Sequence, residues 1–191
     1  MKQFLDDNLN LILKVGVALA LLSTLFTFGN FTTDIFDTPK FVALAILVLA
    51  MLVILTVRFA LVGKVSFLRT PLDLPLLLFL AVATVSTILS PAPYVSLLGN
   101  QARIHGSLVA LTTYVLFYFL AVQAVRSLKD ILWIMSVAIA GATVLTLWGL
   151  ASYFGIRLNF IPSGSSFSAT GVLAILLPAL LVQVFTSKNL V

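Results

Sequence analysis

Apolar residues dominate this chain in long, nearly uninterrupted blocks that are separated by short polar segments. The blocks have about 18 residues or more, which is the length an α-helix needs to cross about 30 Å of hydrocarbon. Backbone polar groups must be satisfied internally in lipid, so that only helices or closed barrels span a bilayer. The blocks are too continuous for the alternating strands of a barrel. The pattern therefore predicts an all-α, polytopic transmembrane helical bundle.

The blocks predict about six spans in a single transmembrane domain that covers residues 1–191. The predicted spans are residues 9–28, 39–62, 72–89, 107–125, 131–154 and 167–185. Thr38 is a candidate N-cap of the second span, with Pro39 as its first helical residue, and Ser107 is a candidate N-cap of the fourth span. Glycines within the spans are expected to let helices approach closely. These glycines are Gly16, Gly141, Gly149 and Gly171.

Composition agrees with a membrane protein and excludes several kinds of site. Hydrophobic residues make up 61% and charged residues 9% of the chain, whereas soluble domains carry about 25% charged residues. The absence of cysteine excludes disulfides, thiolate catalysis and cysteine-based metal sites. The sequence contains no phosphate-binding loop, paired-histidine zinc motif or GxSxG motif. We therefore expect no metal and no cofactor, and the lack of a dense basic and aromatic patch argues against nucleic acid.

Lysine and arginine residues are unequally divided between the two predicted membrane surfaces. The side of the N-terminus has eight of them: Lys2, Lys14, Arg58, Lys64, Arg69, Arg126, Lys129 and Lys188. The other side has three: Lys40, Arg103 and Arg157. Because cytoplasmic loops carry the excess of positive charge, both termini are predicted to lie in the cytoplasm. Lys14 falls inside the first span and is expected to snorkel to that surface.

The three outer cations are candidate anion-binding residues, because topology does not require positive charge on that side. Arg103 and His105 directly precede a predicted helix start, where free N–H groups and the helix dipole favour anions. Arginine adds a bidentate fork for phosphate oxygens, and histidine can donate a hydrogen bond or move a proton. An anion beside Lys40 would offset the unfavourable position of a cation in a first helical turn. Arg157 opens a loop rich in hydroxyl side chains.

A simpler interpretation of the same residues remains open. Arg103 and Lys40 can be interfacial anchors, His105 can be solvated, and the serines of residues 157–170 can serve as helix caps. On the residues alone, this interpretation is the more common one. Asp34 and Asp37 are the only outer carboxylates and therefore the only Asp or Glu candidates for a general base there, although both also suit turns. No catalytic residue is assigned.

An ordered set of short motifs resembles a known family. Pro39-Lys40 opens the second span, and "PLDLP" at residues 71–75 opens the third. The segment "TILSPAPYVSLLGNQARIHGSL" follows as an S…P…S-x-x-G…R-x-x-G pattern. A Gly/Ser-rich start of the sixth span and "LLPALL" complete the set. In this order, over essentially all 191 residues, the motifs resemble the N-terminal half of the O-antigen ligase and O-antigen polymerase-like bacterial membrane proteins.

The resemblance implies a glycosyltransferase of cell envelope and lipopolysaccharide biogenesis in the bacterial plasma (inner) membrane. Its donor would be a polyprenyl-diphosphate-linked glycan at the outer face, held by outer arginines without a metal. The acceptor would be a lipid A core, another glycan or a protein hydroxyl. Family members carry their catalytic histidine on a large outer loop in the C-terminal half. The chain is therefore expected to be an N-terminal portion without that loop, and His105 does not match the loop histidine.

A second interpretation, from a different class, is a non-enzymatic membrane subunit or a lipid or solute carrier. In that case the outer basic residues would act as anchors, and the chain would contact membrane lipids. An ion-coupled transporter is disfavoured, because no predicted span carries Asp, Glu or His at mid-membrane depth. Convergence of Lys40, Arg103 and Arg157 on one cleft would favour the glycosyltransferase.

Overall fold

A computed structural model describes residues 2–29, 35–63, 67–100 and 104–154, together with positions 174, 177, 178 and 181. Within these residues the secondary structure is helical and contains no strand, which confirms the all-α prediction. The helices are α1 Lys2–Phe26, α2 Asp37–Val62, α3 Asp73–Ile88, α4 Pro93–Leu98, α5 Leu108–Ala124 and α6 Leu128–Tyr153. A 3-10 turn, Ile104–Gly106, precedes α5. The predicted span at residues 167–185 lies outside the described residues, apart from the four isolated positions.

Among the residues that the structure describes, three helices are long and apolar enough to cross a membrane. Their apolar segments are Gln3–Phe26 in α1, Asp37–Val62 in α2 and Leu128–Ala151 in α6. The helices at the third and fourth predicted spans, α3 and α5, are equally apolar but have 16 and 17 residues, below the about 20 of a typical span. The total number of spans stays a prediction.

The core lies where α1, α2 and α5 meet. Its buried side chains are Leu13, Val17, Ala20, Leu44, Val48, Met51, Leu55, Leu120 and Ala124. A Cβ added at Gly16 would lie 2.7 Å from Sδ of Met51, and one added at Gly141 would lie 2.6 Å from Cδ2 of Leu22. Both distances are far below van der Waals contact. The prediction that glycines allow close helix approach is thus confirmed at these two positions.

The helices bring their polar groups together at two ends of the bundle. At one end, which we call the charged end, Asp6 of α1 contacts Arg58 of α2 and Arg126 between α5 and α6. At the other, which we call the α4 end, Phe41 of α2 contacts His105 of the 3-10 turn. Between the ends, many leucine, valine and isoleucine side chains are exposed, and α3 has no buried residue. Such an apolar exterior is what contact with lipid requires.

One local prediction is wrong. α2 begins at Asp37 and its N-cap is Phe36, so Thr38 lies inside the first turn instead of capping the helix. The carboxylate of Asp37 occupies the first turn, where it interacts favourably with the helix dipole. Lys14 is ion-paired with Asp130 at 2.6 Å at the charged end, and its snorkelling to a membrane surface stays a prediction. The residue pattern of a single span does not reveal an ion pair with a distant helix.

Candidate functional site at the α4 end

A cavity of about 550 Å³ lies between the end of α3, α4 and the start of α5. Its lining residues are Ala83, Ser86, Thr87, Leu89, Ser90, Pro91, Ser96, Gly106, Leu108 and Leu111. Hydroxyl side chains line one part of the wall and leucines another. The cavity therefore offers both hydrogen-bonding groups and apolar contact, the combination that is typical of small-molecule sites.

The segment between α3 and α4 brings the hydroxyls together. Pro91 lies just beyond the end of α3, and Pro93 begins α4, in agreement with the preference of proline for a first helical turn. The hydroxyl of Ser96 donates a hydrogen bond of 2.8 Å to Oγ of Ser90, which also accepts the N–H of Ala92 at 3.2 Å. These bonds fix the positions of two cavity-lining oxygens.

The start of α5 forms the opposite wall. Ser107 is 1% exposed, and its side chain accepts a hydrogen bond from the N–H of Ala110, which confirms it as the N-cap. Gly106 and Leu108, on either side of Ser107, line the cavity. The first turn of α5, with the positive end of its dipole, therefore borders the cavity.

An aromatic cluster stands beside this wall. The Nδ1 atom of His105 and the hydroxyl of Tyr114 are 2.5 Å apart, in hydrogen-bonding contact. The ring of Phe41 lies edge-on to both, with centroid distances of 6.5 Å. Phe41 follows Lys40 in the first turn of α2. The cluster thus joins α2, the 3-10 turn and α5 at the α4 end.

The predicted site residues fall into two groups. Lys40 is half-buried in the first turn of α2, and His105 is exposed in the 3-10 turn; both lie at the α4 end. Arg103, Arg157 and Asp34 lie outside the described residues, so convergence of the three cations stays a prediction. Four residues of the resembling motif do share one cavity: Ser90, Pro91, Ser96 and Gly106.

Sequence reasoning missed a network of ion pairs at the charged end. Asp6 contacts Arg58 at 2.7 Å and Arg126 at 2.5 Å, and Asp7 contacts Arg126 at 3.0 Å. Lys14 and Asp130 form a further pair. The sequence interpretation used these cations for orientation alone. One signal was available in the sequence: Asp6 and Asp7 lie on the same predicted membrane surface as Arg58 and Arg126.

Comparisons with protein-family models, with curated proteins and with solved structures found no match.

Proposed function

We propose that this chain is an O-antigen ligase-like membrane glycosyltransferase, or the N-terminal portion of one. It would handle a polyprenyl-diphosphate-linked glycan at the outer face of the bacterial plasma membrane. The observation that carries the proposal is the cavity shared by Ser90, Pro91, Ser96 and Gly106 of the resembling motif. Its hydroxyls suit hydrogen bonding to sugar and phosphate oxygens, because a hydroxyl both donates and accepts.

Electrostatics at the α4 end support an anionic ligand. The first turn of α5 directs its dipole toward the cavity wall, and Arg103 directly precedes the 3-10 turn in the sequence. Lys40 adds a cation from α2, next to the Phe41 ring that contacts His105. Cations held in place around a diphosphate would bind the donor and stabilise the charge that the leaving group gains. The proposal gives these residues a binding role and assigns no catalytic base.

The proposed orientation has six spans with both termini in the cytoplasm. Its support is the distribution of charge, since Lys14, Arg58 and Arg126 all belong to the ion pairs of the charged end. Arg69 and Lys129 lie close in sequence to the same end. Cytoplasmic surfaces carry such an excess of basic residues. The α4 end would then face outward, where lipid-linked glycans are transferred in the resembling family.

Binding of a polyprenyl diphosphate to the purified chain tests the proposed site. We expect Arg103→Ala to weaken binding at least several-fold, because it removes a bidentate phosphate ligand. Lys188→Ala removes one cation that the sequence assigns to the opposite membrane surface and to neither ligand site, and it serves as the control. Equal affinities of the parent chain and Arg103→Ala would contradict the diphosphate role.

A second pair of variants tests the cavity without changing charge. Ala83 lines the cavity, whereas Ala81 is exposed on the same helix. Ala83→Phe should reduce binding of the lipid-linked diphosphate by filling the cavity, and Ala81→Phe should not. Unchanged binding by Ala83→Phe would show that the ligand binds elsewhere.

The second candidate is a non-enzymatic lipid or solute carrier. The same cavity supports it, since a ligand can be bound there without a reaction. Incubation of membranes that contain the chain with a lipid-linked glycan and an acceptor separates the two candidates. New glycosidic product, formed by the chain alone or after addition of a C-terminal half from the resembling family, favours the transferase. Saturable binding without product in both cases favours the carrier.

A further inference from the structure

A second cavity, of about 500 Å³, lies between α1, α5, α6 and the segment 67–70. Its lining residues are Val17, Leu21, Leu68, Thr70, Phe117, Tyr118, Ala121, Val122, Val125, Ile131, Ile134 and Met135. Its polar side chains are Thr70 and Tyr118, whose hydroxyls are hydrogen-bonded to each other. A wall of this kind favours hydrocarbon over a polar ligand, because burying polar groups without partners is costly.

The shape of this apolar groove suits a lipid chain. Along α5 its lining extends from Phe117 to Val125, a length of roughly 12 Å at 1.5 Å per residue. Val125 follows the last residue of α5, and Ile131 lies in the first turn of α6. The groove therefore runs from the charged end toward the middle of the bundle, parallel to the helices.

Two basic residues adjoin the lining of the groove in the sequence, near the charged end. Arg69 stands between the lining residues Leu68 and Thr70, and Lys129 stands two residues before Ile131. Both side chains are exposed. Among the described residues, neither forms a salt bridge, in contrast to Lys14, Arg58 and Arg126. Arg69 has a longer-range electrostatic interaction with Asp73.

We propose that this groove binds one acyl chain of an anionic phospholipid, whose phosphate lies at Arg69 and Lys129. Basic sites between transmembrane helices at the cytoplasmic surface attract anionic headgroups, and each nearby cation strengthens the attraction. A zwitterionic lipid fills the groove equally well but lacks the net charge that these two cations attract. The inference requires membrane insertion and is independent of glycan transfer and of the cavity at the α4 end.

Native mass spectrometry of the purified full chain tests this site. The probes are phosphatidylglycerol and phosphatidylcholine with identical acyl chains, each added after delipidation. We expect the parent chain to retain phosphatidylglycerol several-fold more than phosphatidylcholine. Val122→Trp should lower retention of both lipids several-fold by filling the groove. Arg69→Gln combined with Lys129→Gln should abolish the preference for phosphatidylglycerol.

Matched controls separate the site from general effects. Val57→Trp adds the same side chain on the exposed face of α2 near Arg58. Lys2→Gln combined with Lys188→Gln removes two charges that the sequence assigns to the same membrane surface. Both controls should retain lipid as the parent chain does.

Three results would overturn the proposal. Equal retention of the two lipids by the parent chain would refute the headgroup site, and full retention by Val122→Trp would refute the groove. A control that loses as much lipid as its counterpart would refute the specific location. If Val122→Trp does not give a monodisperse protein, the Arg69 and Lys129 variant decides, because both side chains are exposed.

Discussion

The Nζ atom of Lys14 donates a hydrogen bond of 2.6 Å to Oδ1 of Asp130, which joins α1 to α6 across 116 residues of sequence. The other oxygen, Oδ2, accepts the N–H groups of Arg126 and Ser127 at 3.0 Å. Oγ of Ser127 accepts the N–H of Asp130 in return, at 3.3 Å. Ser127 and Asp130 therefore form a reciprocal capping pair at the start of α6. The carboxylate of Asp130 therefore both caps the start of α6 and joins α6 to α1.

The two roles of Asp130 predict a graded series of stabilities. Asp130→Ala removes the ion pair and the cap and should lower the free energy of unfolding by about 2 kcal/mol. Asp130→Asn keeps an oxygen for the N–H groups, and Lys14→Gln keeps the whole cap, so each should cost about 1 kcal/mol. Denaturation of the detergent-solubilised protein measures these losses.

Lys129→Gln is the control for this series, because Lys129 adjoins Asp130 but is exposed. It should change stability by less than about 0.5 kcal/mol. The losses of Lys14→Gln and Asp130→Asn should not add in the double variant, since both remove the same interaction. Strict additivity would refute an energetic link between the two residues.

Gln123 is predicted to hold the segment 67–70 against α5. Its side chain is 4% exposed; its Oε1 accepts the N–H of Leu68 at 3.3 Å and its Nε2 donates to the Leu68 carbonyl at 3.1 Å. Gln123→Leu leaves both backbone groups without this partner and should cost about 1–3 kcal/mol. Gln123→Glu can accept the Leu68 N–H but cannot donate to its carbonyl, so its stability should lie between those of the parent chain and Gln123→Leu. Hydrogen exchange of the Leu68 amide should rise in the same order, and unchanged exchange in Gln123→Leu would refute the clamp.

Gly141 is predicted to set the spacing between α1 and α6. Gly141→Ala places a methyl group against the end of the Leu22 side chain, which can move, so the cost should stay near 1 kcal/mol. Gly141→Ile should cost about 2–3 kcal/mol, because it adds further carbon atoms where Leu22 and Leu25 already lie 2.6 and 3.1 Å from the Cβ position. Ala140→Ile, on the exposed neighbour, is the control. Equal unfolding midpoints for the two isoleucine variants would contradict the close approach.

The sequence predicted those features whose signal is local. The apolar blocks predicted the long helices, because a backbone in lipid must satisfy its polar groups internally. The position of Ser107 before an apolar run predicted its role as an N-cap. The pairing of Lys14 with Asp130 was missed, since no periodicity within one span reports a contact with another. The six residues of α4 were also missed, because one and a half turns carry almost no pattern. At the candidate site, the motif order selected Ser90 and Ser96, but their shared cavity required the turn at Pro91.

Ser107 couples the stability of α5 to the wall of the candidate site. Its Oγ accepts the N–H of Ala110 at 3.2 Å, and both residues are almost fully buried. Ser107→Ala should lower the free energy of unfolding by about 1 kcal/mol, because the Ala110 amide loses its partner where no bulk water can replace it. Ser107→Thr keeps a hydroxyl acceptor and should cost less, since threonine ranks close behind serine as an N-cap. Unfolding midpoints in one detergent give the ranking, and hydrogen exchange at Ala110 should follow it. A loss in Ser107→Thr as large as that in Ser107→Ala would show that packing of the serine, and not its cap, holds the start of α5.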